Sequence, residues 1–137
     1  MRLLIDANIL LDVLQKREPY FHDSSLIWKL CETNSAEGYV SSLTVANLIY
    51  VMRKELDPEK IENVLCQLKL IFQLTDLSVS DITRAAEMKW NDFEDAVQST
   101  IAERIHADCI ITRNVRDFKA SRTIAFTPAE YLARIYS

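Results

Sequence analysis

The sequence predicts a three-layer α/β fold in which a central, mostly parallel sheet of about five strands is flanked by helices. Short apolar segments alternate along the chain with segments whose apolar residues recur every three or four positions, a pattern typical of β-α-β units. One short segment, residues 109–112, is apolar almost throughout, as expected for a strand covered on both faces. The chain of 137 residues contains no linker, repeat or low-complexity stretch, so we expect residues 1–137 to form a single domain.

Two strands and three helices are predicted in the first part of the chain. The opening apolar run ends abruptly at Asp6, as a short buried strand does when it leaves a sheet. The first two helical segments are separated by a break at Pro19, and we expect Ser42 to cap the third. In order, these elements are the strand 2–5, the helices 8–15 and 20–33, the strand 38–41 and the helix 42–55.

The remaining elements continue the alternation. Asp57 and Pro58 form a cap and first-turn pair that opens a helix. Further on, Phe93, Val97 and Ile101 fall on one stripe of another helix. In order, we predict the helix 58–71, the strand 72–77, the helices 78–89 and 93–107, the strands 109–112 and 123–127, and the helix 128–136.

Composition excludes several classes of function. Gly38 is the only glycine, whereas a P-loop and a dinucleotide-binding GxGxxG motif each need several glycines beside the phosphate groups. Cys31, Cys66 and Cys109 are far apart and lie in apolar segments, which favours reduced core thiols over a zinc site. With two isolated histidines, a His-ligated metal or a Ser-His-Asp triad has little support.

The chain shows no sign of a membrane-bound or exported protein. No apolar run approaches the roughly 18–20 residues that span a bilayer, and the short run after Arg2 lacks the length and the cleavage site of a signal peptide. We therefore expect a cytoplasmic protein. The net charge of −4 does not favour general nucleic-acid binding, which normally uses a basic surface. If some of the carboxylates form a cluster that binds divalent cations, part of this negative charge would be confined to that cluster and neutralised by the cations.

Three aspartates are predicted to meet at one edge of the sheet. Asp6 follows the first strand, Asp117 follows the fourth, and Asp95 lies in the first turn of the helix that feeds the fourth. Each alone has an ordinary explanation, as a helix cap, an Asx turn or a first-turn acid. Ligands of such sheets bind at the carboxyl ends of the strands, and gathered there the acids would repel one another unless a cation offsets their charge. Ligands that are all oxygen select Mg²⁺ or Mn²⁺.

Three segments resemble motifs of PIN domains, a family that includes the VapC-type toxins of toxin–antitoxin pairs. Residues 3–12 (LLIDANILLD) resemble the opening motif, residues 92–96 (DFEDA) the third motif and residues 110–118 (IITRNVRDF) the fourth. The resemblance covers essentially the whole chain, in order, and implies a PIN-like fold.

The resemblance also implies a metal-dependent endoribonuclease. Asp6, Asp95 and Asp117 would be the catalytic acids that bind Mg²⁺ or Mn²⁺, and water would attack an RNA phosphodiester to leave a 5′-phosphate and a 3′-hydroxyl. Proteins of this kind commonly form homodimers and are blocked by an antitoxin that enters the acidic site. The polar residues that would support ligands and waters are Asn8, Thr112 and Asn114.

The second motif departs from the family pattern. PIN nucleases usually carry a glutamate on the helix after the second strand, where this chain has Thr44 and Asn47. Because Asn47 offers only a neutral oxygen, we expect weaker metal binding, with Asp92 or Glu94 as alternative sources of the missing charge. The substitution leaves open another interpretation, a catalytically silent PIN-like module that binds RNA or protein.

Other side chains near the predicted site have two explanations each. Arg113 and Arg116 are candidates for holding substrate phosphates, although a charged, solvated loop explains them equally well. Trp28, Tyr50 and Trp90 are candidates for stacking on bases or for a subunit contact, although aromatic residues in apolar helical patterns more often belong to the core.

A phosphotransferase of the haloacid-dehalogenase or receiver type is a third interpretation, since both also place an aspartate after the first strand. The former needs a second aspartate two residues later, where Asn8 stands. The latter needs an acidic pair ahead of the phosphorylated aspartate and a later lysine. An aspartyl-phosphate trapped on Asp6 would support this interpretation.

Overall fold

One parallel sheet of five strands forms the centre of the computed structural model, which describes residues 1–136. The strands lie side by side in the order β3-β2-β1-β4-β5, and every neighbouring pair is parallel. This arrangement confirms the predicted α/β fold. The strands are β1 (Arg2–Ile5), β2 (Glu37–Ser41), β3 (Gln73–Thr75), β4 (Cys109–Ile111) and β5 (Ala125–Phe126).

Helices cover both faces of the sheet. Within residues 1–136 they are α1 (Ala7–Leu14), α2 (Phe21–Glu32), α3 (Ser42–Val51), α4 (Pro58–Ile71), α5 (Val79–Met88), α6 (Phe93–Arg104) and α7 (Pro128–Ile135), with a short 3₁₀ helix at Val115–Phe118. None of these described helices has the length and apolar character needed to cross a membrane.

The strands divide the apolar core into two layers, because successive side chains point to opposite faces. Leu3 and Ile5 pack into the larger layer, with α1, α2, α3, α4 and α7. Leu4 and Ile110 pack into the smaller layer, with α5, α6 and the 3₁₀ helix. Both faces of the central strands are therefore buried, as the apolar character of residues 109–112 predicts.

The strand order places a crevice above β1 and β4. From β1 the chain moves outward to β2 and β3, and then crosses back to add β4 and β5 on the other side. The connections therefore run in opposite directions from the carboxyl ends of β1 and β4, and a crevice opens between them. Asp6 follows one of these strands and Thr112 the other.

Gly38 has a packing role in β2. A Cβ atom built on this residue would lie 2.6 Å from the Sγ of Cys31 and 2.7 Å from the Cδ1 of Phe72. Both neighbours are buried, and the Phe72 ring packs edge-on against Trp28 at a centroid distance of 5.1 Å. The only glycine of the chain thus allows α2 and Phe72 to approach the sheet closely.

A bidentate ion pair fixes α6 against α5. The buried Asp81 carboxylate accepts hydrogen bonds from Arg104 Nε at 3.0 Å and Nη2 at 2.9 Å. Burial alone would raise the pKa of Asp81, but the hydrogen bonds from Arg104 and from Ser78 outweigh it and lower that pKa. The pair anchors the C-terminal end of α6, whose other end begins at the crevice.

The helix predicted over residues 42–55 is shorter than expected. It spans Ser42–Val51, and its N-cap is Ser41, whose Oγ accepts a hydrogen bond from the Thr44 backbone N–H at 3.1 Å. Ser42 instead donates to the Thr75 carbonyl of β3 at 3.0 Å. The predicted cap was wrong by one residue because Ser41 is both the last residue of β2 and the N-cap of α3, since a cap residue keeps an extended backbone.

Several predicted boundaries and burial states also differ. Helix α6 ends at Arg104 rather than at residue 107, since His106 adopts a left-handed backbone with φ 56°. Phe93 is 49% exposed, so it does not belong to the buried stripe. Cys66 is exposed rather than a core thiol. Strands β3 and β5 are shorter than predicted, because only their central residues pair with β2 and β4.

Candidate active site

An open cleft of about 340 Å³ lies at the carboxyl edge of the sheet, above β1 and β4. It receives carboxylates from the end of β1, the start of α6 and the 3₁₀ helix, and no lysine or arginine is among its described lining residues. The lining residues are Asp6, Ala7, Asn8, Leu11, Asn47, Tyr50, Val51, Asp92, Glu94, Asp95, Asn114 and Asp117. The three predicted acids therefore share one cleft.

Asp6 is held in place by both neighbouring elements. As the N-cap of α1, its Oδ1 accepts the Ala7 backbone N–H at 2.8 Å, and its Oδ2 accepts the Thr112 hydroxyl at 2.7 Å. Thr112 in turn accepts the Asn114 backbone N–H at 3.0 Å. Burial raises the pKa of Asp6, and the bonds from Thr112 and Ala7 oppose this effect. The same carboxylate therefore caps α1 and lines the acidic cleft.

The acidity of Asp95 is strongly perturbed by its surroundings in the cleft. It lies in the first turn of α6, and its backbone N–H donates to Oδ1 of the N-cap Asp92 at 3.0 Å. Burial, followed by the negative charges of Asp92, Asp6 and Asp117, raises the pKa of Asp95 to about 7. Such repulsion among carboxylates is what a bound cation would relieve.

Asp117 reaches the cleft from the 3₁₀ helix that follows β4. Its backbone N–H donates to the Asn114 carbonyl at 3.0 Å, and Asn114 itself lines the cleft. Asn8 lines the opposite side from the first turn of α1. These residues occupy the positions expected from the sequence.

The second motif places one of its two polar residues in the cleft. Asn47 lines the cleft and donates from Nδ2 to Oε1 of Glu94 at 2.9 Å. Thr44 is instead buried, where its hydroxyl accepts hydrogen bonds from Gln98 and Ser41. Burial, together with the charges of Asp92 and Asp6, raises the pKa of Glu94, and the bond from Asn47 opposes this effect. Glu94 is thus part of the acidic cluster.

Arg113 does not line the acidic cleft, although its positive charge opposes the rise in the pKa of Asp6. Its Nη2 lies 3.4 Å from Oδ1 of Asp12, which is completely buried, and its guanidinium lies 4.1 Å from the centre of the Tyr20 ring. The other oxygen of Asp12 accepts the Ser24 hydroxyl at 2.9 Å. The charge of Arg113 therefore ties the loop after β4 to α1 and α2, and its predicted role in phosphate binding gains no support from this position.

Basic side chains lie in an adjacent groove. Arg116 and Lys119 line this groove, of about 300 Å³, together with Trp90. Asp95 and Asp117 line both the groove and the cleft, so the two cations lie beside the acids. Arg116 thus lies beside the acidic cleft, and its contact with substrate phosphate stays a prediction.

The donor set of the cleft fits a hard divalent cation, because every polar side chain that lines it offers a carboxylate, an amide or a phenol oxygen. Among residues 1–136, however, no three histidine, cysteine, aspartate or glutamate side chains are grouped closely enough to hold an ion. The acidic side chains would therefore have to move together on binding.

Sequence reasoning missed two long-range contacts. Asp12 was part of the opening motif, but nothing local indicated that it pairs with Arg113, 101 positions further along the chain. The bond between Thr44 and Gln98 was missed for the same reason. A buried charged or amide residue on an otherwise apolar helix face was the available signal in both cases.

The fold and the cleft define a three-layer α/β protein with a carboxylate-lined crevice between the central strands of a parallel sheet. The chain belongs to the PIN-domain family, whose family model matches residues 2–116. No curated protein matches the chain at a significant level.

Solved structures share this fold at low sequence identity. A toxin–antitoxin complex from Klebsiella pneumoniae superposes with a TM-score of 0.70 at 20% identity, covering 92% of this chain and 97% of that chain. VapBC2 from Rickettsia felis, bound to a promoter DNA fragment, gives a TM-score of 0.65 at 18% identity, covering 93% and 98%. The Mycobacterium tuberculosis sarcin–ricin-loop-cleaving toxin VapC20 gives 0.63 at 8% identity, covering 79% and 86%.

Proposed function

We propose that this protein is a Mg²⁺- or Mn²⁺-dependent endoribonuclease that acts as the toxin of a toxin–antitoxin pair. The observation that carries the proposal is the meeting of Asp6, Asp95 and Asp117, from three separate segments, in one cleft that no lysine or arginine of residues 1–136 lines. Membership of the PIN-domain family supports a nuclease. The structural neighbours include a toxin–antitoxin complex and a sarcin–ricin-loop-cleaving toxin, which favours RNA as the substrate and a protein antitoxin as the partner.

The three aspartates are the residues that would hold the metal. When bound, Mg²⁺ or Mn²⁺ supplies positive charge that lowers the pKa of a water and stabilises a leaving oxygen. Thr112 and the Ala7 N–H keep both oxygens of Asp6 oriented, which limits the reorganisation needed on binding. Water is the nucleophile and the bond from phosphorus to the 3′ oxygen breaks, so the products carry a 5′-phosphate and a 3′-hydroxyl.

Substrate would approach along the groove beside the cleft. Arg116 and Lys119 line that groove, where their charges can meet phosphates on either side of the bond that is cleaved. Tyr50 also lines the cleft with 63% of its surface exposed, and the Arg53 guanidinium lies 4.1 Å from the centre of its ring. A base that stacks on Tyr50 would therefore share the ring with this cation. With so few cations near the site and a net charge of −4, a small, defined RNA fits better than bulk RNA.

The test is cleavage of a panel of structured RNAs by the purified protein in Mg²⁺ or Mn²⁺, with Asp95→Asn as the matched variant. We expect cleavage that EDTA and Asp95→Asn both abolish, and products that carry a 5′-phosphate. A wild-type protein that binds Mn²⁺ and RNA without cutting would refute the enzyme and support the catalytically silent module, which the neutral Asn47 favours.

The predicted partners need separate tests. A short reading frame next to the gene, whose product binds the protein and inhibits cleavage, would identify the antitoxin. Light scattering would test the predicted homodimer, for which a mass near twice the 15.8 kDa of one chain is expected.

A further inference from the structure

Asn47 and Glu94 form a polar pair across the acidic cleft. Asn47 projects from α3 and Glu94 from the first turn of α6, and the two residues are 47 positions apart in the sequence. The Asn47 Nδ2 donates to the Glu94 Oε1 at 2.9 Å. Through Nδ2 the amide holds the carboxylate, and the only oxygen that Asn47 itself could offer a cation is the neutral Oδ1.

A buried hydrogen bond beneath the cleft also holds α3 and α6 together. One turn back on α3, the Thr44 hydroxyl accepts a hydrogen bond from Gln98, which lies one turn further along α6. Both of these residues are buried. Two hydrogen bonds therefore join α3 to α6. The bond between Thr44 and Gln98 is buried, and the bond between Asn47 and Glu94 lies nearer the solvent, in the cleft.

We propose that Glu94 supplies the acidic ligand missing from position 47, and that Asn47 is the positioning residue that holds it. The inference rests on the proposed metal-dependent function. The bond to Asn47 fixes Oε1 and leaves Oε2 for an ion. The family acid has in effect moved from α3 to α6, and the cleft keeps four carboxylates for a cation in Asp6, Glu94, Asp95 and Asp117.

The chemistry of the pair favours this exchange. A neutral amide oxygen is a weaker ligand for a hard dication than a carboxylate. The amide nitrogen, however, can orient a neighbouring carboxylate without adding negative charge to an already crowded cleft. A glutamate in place of Asn47 would face Glu94 and repel it, so this chain uses one acid and one amide at the contact.

The experiment is a calorimetric titration of Mn²⁺ into the full chain. Glu94→Gln removes the charge but keeps an oxygen that can accept from Asn47. We expect its affinity for Mn²⁺ to fall by about 10- to 100-fold, the range seen when residues that tune a metal site are lost. Glu62→Gln, an exposed acid on α4, should bind as the wild type does. Wild-type affinity in Glu94→Gln would overturn the proposal.

A second variant tests the pairing itself. In the double variant Asn47→Asp with Glu94→Gln, the carboxylate stands on α3 and the amide on α6, so the hydrogen bond is kept with donor and acceptor exchanged. We expect this variant to bind Mn²⁺ at least about fivefold more tightly than Glu94→Gln. Binding no tighter than that of Glu94→Gln would refute Asn47 as the partner of the ligand.

Thermal unfolding distinguishes a ligand from a structural residue. Glu94→Gln should unfold in EDTA at the wild-type temperature or above it, while its stabilisation by Mn²⁺ shrinks. A lower unfolding temperature in EDTA with an unchanged response to Mn²⁺ would overturn the proposal. The proposed function fails separately, if wild-type protein does not bind Mn²⁺ or if Asp95→Asn binds it equally well.

Discussion

Replacing Asp95 with asparagine should stabilise the metal-free protein and abolish its response to divalent cations. Burial and the charges of Asp92, Asp6 and Asp117 raise the pKa of Asp95 from 3.8 to about 7. A rise in pKa of this size means that ionising Asp95 costs the folded state about 4 kcal/mol more than it costs the unfolded chain. Because Asp95 is partly exposed, solvent screening reduces this cost of ionisation to roughly 2 kcal/mol. The substitution also removes an acid that favours the helix dipole, which offsets about 0.5 kcal/mol of the gain in stability.

The effect has a defined pH window. The folded-state pKa lies above the unfolded value, so the wild type loses stability as the pH rises from about 4 to about 7 and then reaches a plateau. Asparagine stays neutral throughout. The increase in the free energy of unfolding caused by Asp95→Asn should thus be absent near pH 4 and reach roughly 1–2 kcal/mol at pH 8. For a chain of this size, that corresponds to a rise in Tm of about 3–7 °C.

Calorimetric unfolding in EDTA at a series of pH values is the assay. Glu59→Gln, which removes a first-turn acid from α4 outside the cleft, controls for the helix dipole and should be neutral or slightly destabilising. Adding Mn²⁺ should raise the Tm of the wild type and leave Asp95→Asn unchanged. A Tm gain for Asp95→Asn that does not grow with pH would refute the argument that repulsion in the cleft disfavours folding.

Three further measurements test other parts of the structure. Gly38→Ala should lower the free energy of unfolding in urea by about 1–3 kcal/mol, since the added methyl meets buried atoms at 2.6 and 2.7 Å; unchanged stability would mean that Cys31 and Phe72 yield easily. Ellman's reagent should label one thiol of the native chain, Cys66, because burial raises the pKa of both other thiols to about 12. Asp81→Asn should lower the free energy of unfolding by about 2 kcal/mol at pH 7. The hydrogen bonds from Arg104 lower the pKa of Asp81, so the difference between variant and wild type should shrink as the pH falls through that pKa. Acid unfolding curves would measure it.

The sequence predicts the sheet and the convergence of the three aspartates because both depend on local patterns. Apolar segments that end in a polar residue mark the carboxyl ends of β1 and β4, and the rule for parallel sheets then brings Asp6 and Asp117 together. The cap at Asp57 was also predictable, and it is confirmed, since the chemistry of a helix start lies within four residues.

The remainder depends on which helices become neighbours. The bond between Asn47 and Glu94 requires α3 to meet α6, and the pair of Asp12 and Arg113 requires the loop after β4 to meet α1. No local pattern encodes either meeting. The exposure of Phe93 was missed because the periodicity of a helix identifies a stripe but not the point where that stripe leaves the core.

The pairing of β1 has a consequence for synthesis on the ribosome. One edge of β1 pairs with β2, which is made soon afterwards, while the other edge pairs with β4 at residues 109–111. Until that strand has emerged, Asp6 lacks the hydroxyl of Thr112, and Asp117 does not yet exist. A growing chain therefore carries an incomplete cleft until Asp117 has been added, and the cell meets the assembled site only after β4 and the loop behind it have left the ribosome.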